Sequence, residues 1–281
     1  MRGSSPFPSG WIVTPMVKVR GGIEDIELFR MRTDGSGLHR LTKGPGNVTD
    51  PFFAPNGRRV VFARTSRGLF SIGLDGSGLH QLTLLKGDEH PVYSPDGKRI
   101  AFVRGDRLWV MQSDGSRQRL LRRAPRVGAR PSWSPDGRKI AVERGESAAD
   151  FLYTLDARTG RVLKRMLLID GDLAGGSFSG ALLAPNGRTV VFEAYRPTPP
   201  DCKGIECDVY ALYRRPLARG IASTRVVCND CSALAWSADS RVLLIARQNG
   251  NLELRVVRDG RTKVVDVHGE QLRGMPTLQP R

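Results

Sequence analysis

One twelve-residue stretch constrains this chain more than any other, because the chain writes it repeatedly. PVYSPDGKRIAF begins at Pro91, PFFAPNGRRVVF at Pro51, PSWSPDGRKIAV at Pro131, ALLAPNGRTVVF at Ala181, and a worn copy, LAWSADSRVLLI, at Leu234. The central prolines stand at Pro55, Pro95, Pro135 and Pro185, with Ala238 in the equivalent place, so the steps are 40, 40, 50 and 53 residues. A self-similar period of this length matches one propeller blade.

Each copy has a mechanical reading. Proline presets φ, Asp or Asn bonds the backbone ahead of it, and Gly takes the left-handed conformation, so the Pro-Asp/Asn-Gly core is a tight turn between two strands. The strands leaving it, for instance Val60 to Ala63 and Ile100 to Val103, are continuous apolar runs. A strand reads that way when both its faces are buried. A second repeated turn, Asp34-Gly35-Ser36-Gly37, Asp75-Gly76-Ser77-Gly78, Asp114-Gly115-Ser116 and a looser Asp156 to Gly160, joins the two outer strands of each unit. Asp-Gly between strands is a strong hairpin signal.

The chain ends set the count. Residues 11 to 42 supply three strands with no inner strand before them, and Pro276 to Pro280 reads as an inner strand without its partners. The expectation is an all-β, six-bladed β-propeller spanning 10–281. It is closed by pairing the C-terminal inner strand with the three N-terminal strands, which removes exposed sheet edges. Residues 1–9 read as an N-terminal tail or a cloning scar. The Pro-Asp-Gly and Asp-Gly turns then share one face of the disc. The irregular links, from Leu167 to Gly180 and from Tyr195 to Cys207, fall on the other, and function tends to sit on variable loops carried by a rigid scaffold.

The formal net charge is +16 on 281 residues, with only 8 lysines among 44 basic side chains. Such a surface favours anionic partners. No apolar run approaches the ~20 residues that span a bilayer. The first residues, MRGSSPFPSGW, lack the apolar core of a signal peptide.

The units PSWSPDGRKIAV, LWVMQSDG and RQRLL resemble the WD40-like repeat of the TolB propeller family. That resemblance covers about residues 10 to 281. It implies a six-bladed propeller of the kind found in bacterial envelope proteins, hence a periplasmic or secreted home, with a cytoplasmic one left open. It also departs from TolB, because no α/β domain precedes the propeller within this sequence. The leading expectation is a monomeric, non-enzymatic binding or scaffold module without cofactor, recognising a protein or anionic polymer through its loop-bearing face. The alternative is a lyase or hydrolase-associated propeller with a polar site at the channel mouth.

Several motifs bear on that choice. Gly176-Ser177-Phe178-Ser179-Gly180 matches a nucleophile elbow, but that device needs a following helix, with Asp and His later in the chain. It reads as a loop. The rim of the channel is expected to carry Asp50, Glu89, His90, Arg130, His268 and Glu270, a polar set suited to a partner group. Arg117, Arg119, Arg122, Arg123 and Arg126 form a basic rim. Nucleic acid is disfavoured because no interleaved aromatics accompany it. Cys202, Cys207, Cys228 and Cys231 fall in two links on the same face of one blade. Their spacing suits either two disulfides or a tetrahedral zinc site. The likeness to envelope propellers favours disulfides, with Cys202 to Cys207 and Cys228 to Cys231 as the first expectation.

Overall fold

The computed structural model describes residues 9–20, 23–127, 129–146, 149–169, 181–195, 210–218, 225–229, 231–237, 239–247, 251–267 and 276–280. Within them the chain forms six four-stranded antiparallel sheets and no helix. The first sheet runs β24 (Thr277–Leu278), β1 (Trp11–Arg20), β2 (Ile23–Arg32), β3 (His39–Arg40), so the C-terminal strand pairs with the N-terminal one, Ile12 opposite Leu278 and Val13 opposite Thr277. The other five are each contiguous in sequence. Their inner strands are β4 (Val48–Phe53), β8 (Asp88–Tyr93), β12 (Ser132–Trp133), β16 (Leu182–Leu183) and β20 (Cys231–Trp236).

The repeated turns act as their chemistry dictates. The Ser94 hydroxyl donates to the Asp96 carboxylate at 2.5 Å and accepts from the Arg99 N–H at 3.0 Å, while the Lys98 N–H donates to Asp96 at 3.0 Å. Ser134 with Asp136 and Ser237 with Asp239 repeat the arrangement at 2.6 Å. Gly97, Gly137 and Gly187 sit at φ of 64° to 68°, and a Cβ there would meet Pro55, Pro95 and Pro135 of the preceding blade. The glycine thus serves the turn and the seam between blades together.

Packing explains the continuous apolar runs. Alternate residues of one strand point to opposite neighbours: Val60 and Phe62 pack with Val13 and Leu28 of the first sheet, whereas Val61 and Ala63 pack with Ile100 and Phe102 of the third. Further apolar clusters join the third sheet to the fourth, the fourth to the fifth and the fifth to the sixth. A sixth places Leu244 and Leu254 against Ile12 and Met16, sealing the ring. Phe62 and Phe102 are fully buried, and truncating such a ring to Ala costs about 3–5 kcal/mol.

Polar inter-blade ties supplement the apolar ones. The Arg215 guanidinium, 1% exposed, donates to the Leu168 and Leu167 carbonyls at 3.0 and 2.5 Å. Buried Glu143 accepts the Ala181 N–H at 2.7 Å. The next blade repeats the device: Glu193 accepts from Ser232 and from the Ala233 N–H.

Candidate functional site: the central channel

The six inner strands enclose a cavity of about 360 Å³. Five prolines, Pro55, Pro95, Pro135, Pro185 and Pro280, line it at the end bearing the repeated turns. The residue two places before each repeat proline lines it as well: Phe53, Tyr93, Trp133, Leu183 and Leu278, with Trp236 in the worn copy. The Trp133 and Trp236 indole N–H groups donate to the Val92 and Leu182 carbonyls of the preceding blades, at 3.2 and 3.3 Å. The indoles therefore satisfy neighbouring backbone and leave the channel wall apolar. These aromatics were missed in the sequence reading, although their fixed offset from the repeat proline was visible.

At the opposite end of the inner strands lie Asp50, His90 and Arg130, each the residue before a proline in its own repeat. Asp50 and His90 adopt left-handed backbone, φ 52° and 53°, and the ladders slip between Thr49 and Phe52 and between Glu89 and Val92. Bulges of this kind re-aim side chains, and left-handed non-glycine backbone persists only where surrounding structure fixes it. Here the result is a cluster. His90 Nδ1 lies 3.1 Å from Asp50 Oδ1, though not aligned as a hydrogen bond, and the His90 N–H donates to Asp50 Oδ2 at 3.4 Å. Arg130 Nη2 is 3.7 Å from Asp50 Oδ1. Burial alone would push the Asp50 carboxyl up, but His90 and then Arg130 outweigh it and hold it down to about 2. Desolvation lowers Arg130.

Three of the six rim residues named from sequence, Asp50, His90 and Arg130, thus meet, and Arg130 lines the channel cavity. Glu89 is exposed. His268 and Glu270 lie outside the described residues, as does the Gly176 to Gly180 motif.

The basic rim divides. Arg117, Arg122 and Arg123 are exposed, and Arg126 pairs with Asp106. Arg119 instead reaches the next blade, donating to the Arg158 and Ala157 carbonyls at 2.7 and 3.2 Å.

A disulfide joins Cys228 to Cys231, with Cα atoms 6.2 Å apart, at the passage from the fifth blade's outer strand, β19 (Arg225–Asn229), to the sixth blade's inner strand. Zinc ligation by four thiolates would need both of these sulfurs free. Cys202 and Cys207 lie outside the described residues.

A closed ring of six four-stranded sheets around an axial cavity defines a six-bladed β-propeller. A family model described as the TolB beta propeller domain matches residues 13–182, and the chain belongs to that family. Among solved structures, TolB from Acinetobacter baumannii is similar with a TM-score of 0.75 and 17% identity, covering 97% of this chain and 67% of that one. A nidogen/laminin complex chain gives 0.68 and 13%, covering 96% and 98%, and a putative TolB from Agrobacterium tumefaciens gives 0.59 and 14%, covering 92% and 89%. At these identities the likeness is one of fold. Comparison with curated proteins gives no match.

Proposed function

We propose that the chain is a non-enzymatic propeller module, spanning residues 10–281, that acts outside the cytoplasm and binds a protein or an anionic polymer. The observation that carries this reading is the geometry of the channel-end cluster, in which Asp50 has His90 at 3.1 Å and Arg130 at 3.7 Å and is closed in as their counter-ion. Asp50 is pulled to about 2 by His90 and Arg130, far from the neutral range in which a general acid or base works best. It behaves as a fixed ion-pair partner. The net charge of +16 and the exposed Arg117, Arg122 and Arg123 support an anionic partner. The Cys228–Cys231 disulfide supports an oxidising compartment.

The enzyme reading draws on Glu193, which burial pushes up to about 7. That carboxyl, however, is engaged with Ser232 and the Ala233 N–H of the next blade, so its perturbation follows from a packing role.

The test is capture of a partner from an envelope extract by the wild type and by an Arg122→Glu, Arg123→Glu variant. A single species retained at low salt, weakened by added salt and lost in the variant supports the proposal. Turnover of a polysaccharide or peptide by the purified chain, abolished in Asp50→Asn, overturns it.

A further inference from the structure

We propose that the central channel binds a small apolar carboxylate, with Arg130 as its counter-ion. The starting point is a buried charge that has an ion-pair partner in Asp50 but no hydrogen bond at two of its nitrogens. Arg130 is only 7% exposed, and its Nε and Nη2 have no hydrogen-bond partner. Asp50, at 3.7 Å from Nη2, is beyond hydrogen-bonding reach, and it is drawn also to His90 at 3.1 Å. A buried charge left without hydrogen bonds is expensive. Arg215 shows the alternative within the same chain, with two of its nitrogens on backbone carbonyls.

The surroundings of Arg130 specify the rest of the ligand. It lines the same cavity as Tyr93, Trp133 and Trp236 and the repeat prolines. A volume of about 360 Å³ falls at the small-molecule end of natural ligand pockets, which are apolar and aromatic with a few placed polar groups. Arginine recognises carboxylates in two-point fashion, so a carboxylate head beside Arg130 with an apolar body along the channel satisfies wall and charge together. From Arg130 to Pro135 the chain advances five residues, at most about 16 Å if fully extended, which bounds the length of the body.

A threaded peptide is a poorer fit. It would need inner-strand backbone to pair with, and the Val92 and Leu182 carbonyls already accept the Trp133 and Trp236 indoles. This inference is independent of partner binding on the outer surface.

Titration of the purified full chain with 4-phenylbutyrate, indole-3-propionate and octanoate, followed by calorimetry, tests it. At least one acid should bind. Its amide and alcohol analogues should bind more weakly by roughly tenfold or more, the loss of a charge-assisted bond. Arg130→Gln should bring the acid to the level of its amide and leave the amide unchanged, whereas Arg161→Gln, at an exposed position away from the cavity, should change neither. If Arg130→Gln does not fold, the contrast between acid and amide in the wild type decides. Equal affinity for acid and amide, or binding of none of the three acids, overturns the proposal. So does much tighter binding of a pentapeptide with a free C-terminal phenylalanine, which would assign the channel to a chain end.

Discussion

Glu193→Gln should make this protein more stable at neutral pH, and the size of the gain can be worked from the seam between the fifth and sixth blades. Burial pushes the Glu193 carboxyl up from 4.5 to about 7. Hydrogen bonds from Ser232 and the Ala233 N–H oppose this, and the Glu143 carboxylate adds to it. Between those two values the folded state holds a proton that the unfolded state has released. Stability therefore falls as pH rises through the window, and the loss is complete above about 7. At about 1.4 kcal/mol per pH unit, with a discount for the side chain's partial exposure, the cost at pH 8 is about 2–3 kcal/mol. Glutamine keeps an acceptor for Ser232 and Ala233 and cannot ionise. With a urea slope of about 3 kcal/mol/M, the variant's midpoint should exceed that of the wild type by roughly 1 M at pH 8 and by little at pH 5. The assay is urea unfolding of both oxidised proteins at half-unit pH steps, read as the difference between them so that other titrations cancel. Parallel pH profiles for the two proteins would refute the reasoning, and so would a variant less stable at pH 8.

Asp50 runs the other way. Its folded value is lowered from 3.8 to about 2, so it stabilises above the ordinary carboxylate range. Asp50→Asn should cost about 2 kcal/mol at pH 6, a deficit that closes as acid unfolding approaches pH 2. Arg215→Met should lower stability by about 3 kcal/mol, because the Leu167 and Leu168 carbonyls lose a charged donor, and chemical denaturation at fixed pH measures it. Replacing Cys228 and Cys231 together with Ser, or reducing them, opens a four-residue loop and should cost about 2 kcal/mol by chain-entropy reckoning. Denaturation with and without reductant should then shift the wild-type midpoint by more than that of the variant, the difference being the contribution of this bond.

The fold was legible because the Pro-Asp/Asn-Gly turn is local chemistry. Ser94, Pro95, Asp96 and Gly97 make their bonds within a few residues, so the sequence alone carries them. The continuous runs from Val60 and Ile100 were equally readable, since burial on both faces leaves no alternation to misread. The channel was less so. Asp50, His90 and Arg130 stood out as equivalent positions before a proline, but their mutual approach depends on backbone bulges that no residue pattern announced. That Trp133 and Trp236 give their N–H groups to neighbouring backbone, leaving the wall beyond that cluster apolar, was equally out of reach of the residue pattern. Arg119 is exposed, as its place among the arginines suggested, and is also a tie between blades, because length and spacing do not reveal which carbonyls lie within a guanidinium's reach.

The pairing of Thr277 and Leu278 with Val13 and Ile12 fixes an order of events during synthesis. Until Thr277 and Leu278 leave the ribosome, the first sheet lacks its innermost strand and the apolar side chains of Ile12 and Met16 lack the covering contact of Leu278. A nascent chain cut short before Thr277 would present an open, sticky arc to its neighbours, so a stop just ahead of that strand should yield aggregates rather than a slightly shortened ring.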